Sequence, residues 1–220
     1  MSNGVKAWSF SAWELYDQCP QKFKYIKIDK MKEPQSPHLI RGNLAHKAME
    51  DYLTGAVEEV PHEGEKFAEL LPALRDLDPY VEQEWAFKKD WSDTHWRDWA
   101  NCWVRIKTDV CVVYPEEDEG EIIDHKTGKT KAKEHQLELY ALAGMLKFPK
   151  VKNWRLRFWY LDSGDEVVIE RNKTTKDRIK HEWLQRIEPM FNDTIFAPSP
   201  GPLCKWCHFR KSNGGPCSHG

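Results

Sequence analysis

Two carboxylates and an amine stand at spacings that could bring them together. Ile122-Ile123-Asp124-His125-Lys126 reads as a strand, and residues two apart on a strand share a face, so Asp124 and Lys126 point the same way. Asp109 lies in an earlier stretch rich in Val and Ile. A hairpin turning near Glu117-Asp118 sets it across from that pair. Carboxylates tolerate such proximity badly unless positive charge lies between them. A hard divalent cation, Mg²⁺ or Mn²⁺, meets the need, taking one or two carboxylates plus waters and phosphate oxygens. Such an ion acidifies a bound water and neutralises charge developing on phosphorus. Lys126 would orient or deprotonate that water, or stabilise the transition-state charge. The chemistry that fits is phosphodiester hydrolysis. An Asp-x-Lys taken alone is more often a solvated polar face, so the weight rests on its surroundings.

Six cysteines form a second set. Cys102 and Cys111 sit in apolar, strand-like sequence and read as small core residues. Cys204 and Cys207 make a C-x-x-C, Cys217 follows ten residues later, and Cys19 lies near the other end of the chain. A local cysteine cluster in a reducing compartment points to metal more than to disulfides. Four thiolates suit either an iron–sulfur cluster or a closed tetrahedral Zn²⁺ site, for which His208 or His219 could replace one sulfur.

The elements that must position these groups follow from periodicity. Ser11-Ala12-Trp13-Glu14 has the pattern of a capping box and predicts a helix to about Cys19-Pro20. Pro34 and Pro37 mark a loop. Leu44, Ala45, Ala48, Met49, Tyr52 and Leu53 recur at helical spacing within Leu39 to Leu53. Residues 63–76 read as helical. Tyr80 to Lys88, Trp103 to Tyr114 and Glu121 to Lys126 read as strands, with a turn over Pro115 to Gly120. A helix over 132–147 follows, then a hairpin of Val151 to Leu161 and Glu166 to Arg171, then a helix from Thr174 to Phe191. The order predicts an α/β domain with a mixed central sheet flanked by helices and a Cys-rich tail.

The net charge of −2 does not advertise nucleic-acid binding by the whole chain. The charges are uneven, however. Glu116, Glu117, Asp118, Glu119 and Glu121 make an acidic turn directly before Lys126, Lys129, Lys131 and Lys133, and Lys22, Lys24, Lys27, Lys30 and Lys32 make a second basic run. Each run is ordinarily a solvated face. Most of the eleven tryptophans belong in the core, while a few could offer stacking surfaces for unpaired bases. No apolar run approaches the roughly 18 residues a membrane span needs. The expectation is a cytoplasmic protein of a bacterial or phage-infected cell, with no membrane partner.

Gln136 and Tyr140 are four apart, hence on one helix face. His46 closes Arg41-Gly42-Asn43-Leu44-Ala45-His46 on the first long helix. Together with Asp109, Asp124 and Lys126 these residues resemble the RecB-type exonuclease branch of the PD-(D/E)XK nuclease superfamily. That branch has a His on an early helix, an Asp on one strand, Asp-x-Lys on the next, and Gln-x-x-x-Tyr on the helix after it. The order matches and spans most of the chain. One departure is Ile106, where the family often has Gly three residues before the first Asp.

The resemblance implies a restriction-endonuclease-like core and a single nuclease domain over 1–220. It implies a metal held by His46, Asp109, Asp124 and the backbone carbonyl of His125. Lys126 becomes the catalytic lysine, and Gln136 and Tyr140 position DNA or the lysine. Glu84 is read as a surface residue or one lying behind the ligands. The cysteines resemble the staple of several members, similar to CRISPR-associated adaptation exonucleases and phage exonucleases. There a [4Fe–4S] cluster would clamp the tail, 198–220, to the N-terminal helix around Cys19, with Zn²⁺ as the alternative.

The activity implied is a DNA exonuclease acting on ends or single strands in replication, repair or recombination. It would work alone or beside a separate helicase or recombinase, and oligomerisation is compatible with it. The rivals are a flap or structure-specific endonuclease, a catalytically inactive DNA-binding module of the same fold, and a zinc protein that is no nuclease.

Overall fold

The computed structural model describes residues 3–130 and 133–219. The chain divides into two compact units, one of Ser36–His181 and one of Met1–Gln35 with Glu182–Gly220.

The unit Ser36–His181 is built on a six-stranded mixed sheet, ordered β2-β1-β3-β4-β5-β6. Its strands are β1 (Tyr80–Phe87), β2 (Asp93–Thr94), β3 (Val104–Tyr114), β4 (Glu119–Lys126), β5 (Asn153–Tyr160) and β6 (Glu166–Asn172). β3 and β4 form the expected hairpin, with Val110 opposite Ile123. Its turn is a 3₁₀ turn, Pro115–Glu117, closed by Asp118 at φ 54°. β4 and β5 run parallel, so the chain must cross over between them, and α5 (Glu134–Lys147) makes that crossing. Two-residue β2 escapes the sequence periodicity because it is too short to show one.

Successive residues on β4 point to opposite sides. Ile123 packs with Val110, Val112, Trp159 and with Met49 and Tyr52 of α3 (Pro37–Leu53), whereas Asp124 meets Tyr140 of α5. Helices therefore cover both faces. Pro37, read as part of a loop, is the first residue of α3: Ser36 accepts a hydrogen bond from the amide of Leu39, and Pro suits that first position because its missing donor has no partner there anyway. The region read as one helix over 63–76 is a 3₁₀ segment, His62–Phe67, and a separate α4, Leu71–Asp76. Pro72 at the start of α4 lacks the N–H and cannot continue the preceding turn.

α5 packs closely because two glycines make room for one indole. A Cβ on Gly120 would come within 2.7 Å of the Trp154 ring and one on Gly144 within 2.8 Å. Trp154, 1% exposed, fills the slot between them. The seat of Gln136 and Tyr140 over the sheet thus depends on Gly120, Gly144 and Trp154.

The other unit gathers both ends of the chain: α1 (Phe10–Gln18), α2 (Pro20–Phe23), a π-helical turn Lys24–Ile28, the later turns of α6 (Lys176–Asn192), and the tail. α1 is capped by Ser9, whose side chain accepts from the amide of Ala12, and not by Ser11. The helix reaches back to Phe10 because that ring packs on Trp13 and Trp183, at 5.6 and 6.1 Å between centroids. Among the described residues no helix is long and apolar enough to cross a membrane.

Candidate active site

The site forms where β3 and β4 part. Their pairing ends at Val110 and Ile123, so Asp109 and Asp124 are the next facing positions, beyond the ladder. The amide of His125, past the end of the pairing with β3, donates to Asp109 Oδ2 at 2.7 Å. β1 is distorted at the same level. Tyr80 and Trp85 both meet Phe148, at 5.6 and 6.0 Å, although an odd separation of five should put them on opposite faces. Between them Glu82 stands at φ 52°, and the flanking pairs Val81–Val110 and Gln83–Thr108 set it opposite Asp109. A left-handed glutamate inside a strand is strained, and such strain gathers at functional sites. The strand turns over at Glu82, beside the first acid.

Two polar groups adjoin here. In the first, His46 Nδ1 lies 3.1 Å and His125 Nδ1 3.8 Å from Asp109 Oδ2. Donor atoms of His46, Asp109 and His125 all fall within 4.8 Å of one another. The two imidazoles meet edge to face at 6.1 Å. Burial works against the charge of Asp109, but the hydrogen bond and charge of His46, then the charge of His125, outweigh it and hold the carboxyl below the usual range. Burial likewise opposes a charged His46, yet Asp109, then Asp124 and Glu82, raise its pKa above that of a free imidazole. Burial pushes His125 down to about 4, leaving a neutral ring, the form that binds metals.

In the second group, Tyr140 OH donates to Asp124 Oδ1 at 2.5 Å, and Gln136 Nε2 donates to Tyr140 OH at 2.8 Å. Gln136 Oε1 accepts from Lys126 Nζ at 3.1 Å. The Lys126 ammonium lies 2.5 Å from Asp124 Oδ2 and 4.7 Å from the centroid of Phe158. Lys126 is thus the ionic partner of the buried Oδ2. Burial raises the pKa of Asp124, and the charge of Asp109 adds to that, against the pull of Lys126.

Three converging His and Asp ligand atoms, with a second buried carboxylate adjoining them, are the surrounding a divalent cation fits. Imidazole and carboxylate ligands together suit a divalent metal. The structure brings His46, Asp109 and the His125 ring into one group and turns Asp124 toward Lys126 and Tyr140. Glu84 is exposed and pairs across from Lys107; it is Glu82 that ion-pairs Lys107. Ile106, 3% exposed, is core. Phe158 and Glu82 were missed by sequence reasoning. Phe158 carries an ordinary strand residue's signature, and Glu82 is marked only by its backbone. Lys131 of the basic run lies outside the described residues.

The family model of the PD-(D/E)XK nuclease superfamily matches residues 7–212. The chain belongs to the PD-(D/E)XK nuclease superfamily. Members of this superfamily are nucleases that use divalent metals, and the six-stranded mixed sheet with flanking helices is their restriction-endonuclease-like core. The crystal structure of a Eubacterium rectale protein described as a "Putative exonuclease" superposes with a TM-score of 0.54 at 12% identity, covering 93% of this chain and 88% of that one. At that identity the likeness is one of fold. A second solved structure, SSO0001, gives a TM-score of 0.44 at 15% identity over 93% of this chain and 84% of that one, too low to argue from. No curated protein matches the sequence. Within the matched span Asp109 lies on β3, Asp124 and Lys126 on β4, and Gln136 and Tyr140 on α5.

In the unit formed by the chain ends, Cys19, Cys204, Cys207 and Cys217 line one pocket, with Tyr25 and Phe209 beside them. Cys217 Sγ lies 3.3 Å from Gln21 Oε1. All four cysteines are free thiols, half-buried.

Proposed function

We propose that the protein is a metal-dependent deoxyribonuclease, an exonuclease hydrolysing phosphodiester bonds at DNA ends or in single strands during replication, repair or recombination. The observation that carries this is the Lys126 ammonium held against Asp124, one residue from the His46–Asp109–His125 group. Asp109, Asp124 and His46 would hold Mg²⁺ or Mn²⁺, with His125 contributing its carbonyl or ring. When bound, such an ion acidifies a water and neutralises charge on the phosphate.

The remaining work belongs to the side chains. Asp124, with Oδ1 fixed by Tyr140, keeps Oδ2 pointed at the ammonium. Gln136 anchors Lys126 on one side and the face of Phe158 supports it on another, so the lysine is ordered before substrate arrives. Its charge lies where a scissile phosphate would gather negative charge, and a preorganised donor of this kind acts without reorganising at the moment of reaction. The hydrogen bond and charge of His46 beside Asp109 keep it ionised for binding.

The four cysteines would hold a [4Fe–4S] cluster that orders the tail. Their side chains line one pocket, and four thiolates are the ligand number of such a cluster, with a tetrahedral Zn²⁺ as the alternative.

The test is cleavage of end-labelled single- and double-stranded DNA with Mg²⁺ or Mn²⁺, using anaerobically prepared protein, with EDTA as control. Mononucleotides or short products released progressively from one end are expected, the label giving polarity. Discrete internal cuts at flaps would make it an endonuclease, and no hydrolysis of any DNA would overturn the reading.

A further inference from the structure

The strand that carries Asp109 continues away from the site as a short ribbon of polar side chains. On β3, Arg105, Lys107 and Asp109 alternate with Ile106 and Thr108, both buried, and from Arg105 to Asp109 the strand rises about 13 Å. Lys107 ion-pairs Glu82 and stands in the field of Asp109 and of Glu50 on α3, which puts it at the mouth of the site. Arg105, one step further out, is held rigidly. Its Nε donates to the carbonyl of Trp96 at 3.0 Å, and its guanidinium carbon lies 5.7 Å from the Trp96 ring centroid and 4.8 Å from that of Trp99.

Trp99 is 76% exposed. An indole is a large apolar surface to leave in water, and the loop around it is ordered, not frayed. Thr94 Oγ1 donates to Asp98 at 2.7 Å, and Asp98 accepts from both the amide and the side chain of Asn101. At the base of the loop Trp91 and Trp103 meet edge to face at 5.3 Å. The turn thus presents Trp99 with a cation behind it and water before it. Every nucleobase has a π-face, and an exposed indole backed by arginine is a sequence-tolerant stacking surface for unpaired bases.

We propose that Trp99, backed by Arg105, stacks an unpaired base of single-stranded DNA whose backbone runs past Lys107 to the site at Asp109. Paired bases are stacked on their own neighbours and cannot offer a free face, so the platform selects single strands. This inference rests on the nuclease reading for its function but not for its test.

The test is fluorescence anisotropy of a fluorescein-labelled oligothymidylate with the full chain in EDTA, where no hydrolysis is needed. Wild type, Trp99→Ala and Trp99→Phe are compared, with a duplex of equal length as the second probe. Trp99→Ala is expected to weaken single-strand binding about tenfold, Trp99→Phe to restore most of it, and duplex binding to change little. Hydrolysis of thymidine 5′-(p-nitrophenyl phosphate), too short to reach the loop, should be unchanged in both variants. Equal single-strand binding by wild type and Trp99→Ala, or equal losses on both probes, would overturn the platform. Trp99-dependent binding without cleavage of any substrate would keep the platform and remove the nuclease.

Discussion

The two units hold their working groups by different means. In Ser36–His181 a polar centre is fixed by other polar groups: Tyr140, Gln136 and Lys126 converge on Asp124, and a six-stranded ladder with two helices supports them. In the unit of both chain ends, rings do that work. Trp8 stacks on Trp183 at 5.2 Å, Trp13 meets Trp183 edge-on at 5.2 Å and donates its Nε1 to the carbonyl of Arg186 at 3.1 Å. Asp193 gathers the chain locally, accepting from Tyr16 OH at 2.9 Å and from the amides of Ile195 and Phe196 at 2.8 Å each. Beyond that lie four thiols around one pocket, three of them on a tail with two short 3₁₀ turns among the described residues. The lesson is that a sheet can preorganise a charged site by itself, whereas a short tail that buries few side chains would gain order from the proposed cross-link.

That contrast can be broken in order of expected effect. The largest belongs to the thiols. Cys204→Ser combined with Cys207→Ser should abolish iron and sulfide incorporation and the visible absorbance. Hydrogen exchange across residues 198–219 should rise to the unprotected rate while α5 and β3–β5 keep their protection. Retained protection of the tail in the iron-free protein would show that rings alone suffice there.

Next comes the indole slot. Gly144→Ala gains helix propensity, but its Cβ meets Trp154 ring carbons at 2.8 Å, and a ring 1% exposed has nowhere to swing. A net loss of about 1–3 kcal/mol is expected for the catalytic unit by denaturant unfolding, with cleavage falling through displacement of Gln136 and Tyr140. An unchanged midpoint would mean that α5 is free to shift.

The smallest effect sharpens the other side. Burial, then the hydrogen bond and charge of Asp193, push Tyr16 up to about 12. A raised tyrosine pKa contributes stability that is fully present below pH 10, the unfolded value, and is lost as pH rises through about 12. Tyr16→Phe should remove this alkaline dependence from hydrogen exchange of α1. At neutral pH it should cost about 1 kcal/mol. The same alkaline slope in the variant would assign it elsewhere.

Much of the site was legible because strand and helix periods are short-range. The two-residue step placed Asp124 and Lys126 together, and the four-residue step did so for Gln136 and Tyr140; the hairpin brought Asp109 across from them. The mixed sheet followed from the order of elements. What escaped depends on backbone or on distant partners. Glu82 looks like any strand glutamate, and only its positive φ marks the turnover of β1. Phe158 lies under the ammonium through parallel pairing with β4, where it faces Asp124, a register no local pattern encodes. Ser9 and Ser11 are equivalent caps by composition, and the packing of Phe10 on Trp183 selects between them.

The central claim is that the donors around Asp109 bind a metal while Lys126 acts on the substrate. It is tested most directly by Mn²⁺ binding, read by electron paramagnetic resonance, beside DNA cleavage in Asp109→Asn and Lys126→Ala proteins. Asp109→Asn should lose both Mn²⁺ binding and cleavage. Lys126→Ala should keep Mn²⁺ while cleavage falls by about 10²–10³-fold or more. Wild-type cleavage by Lys126→Ala, or undiminished Mn²⁺ binding by Asp109→Asn, would contradict the account.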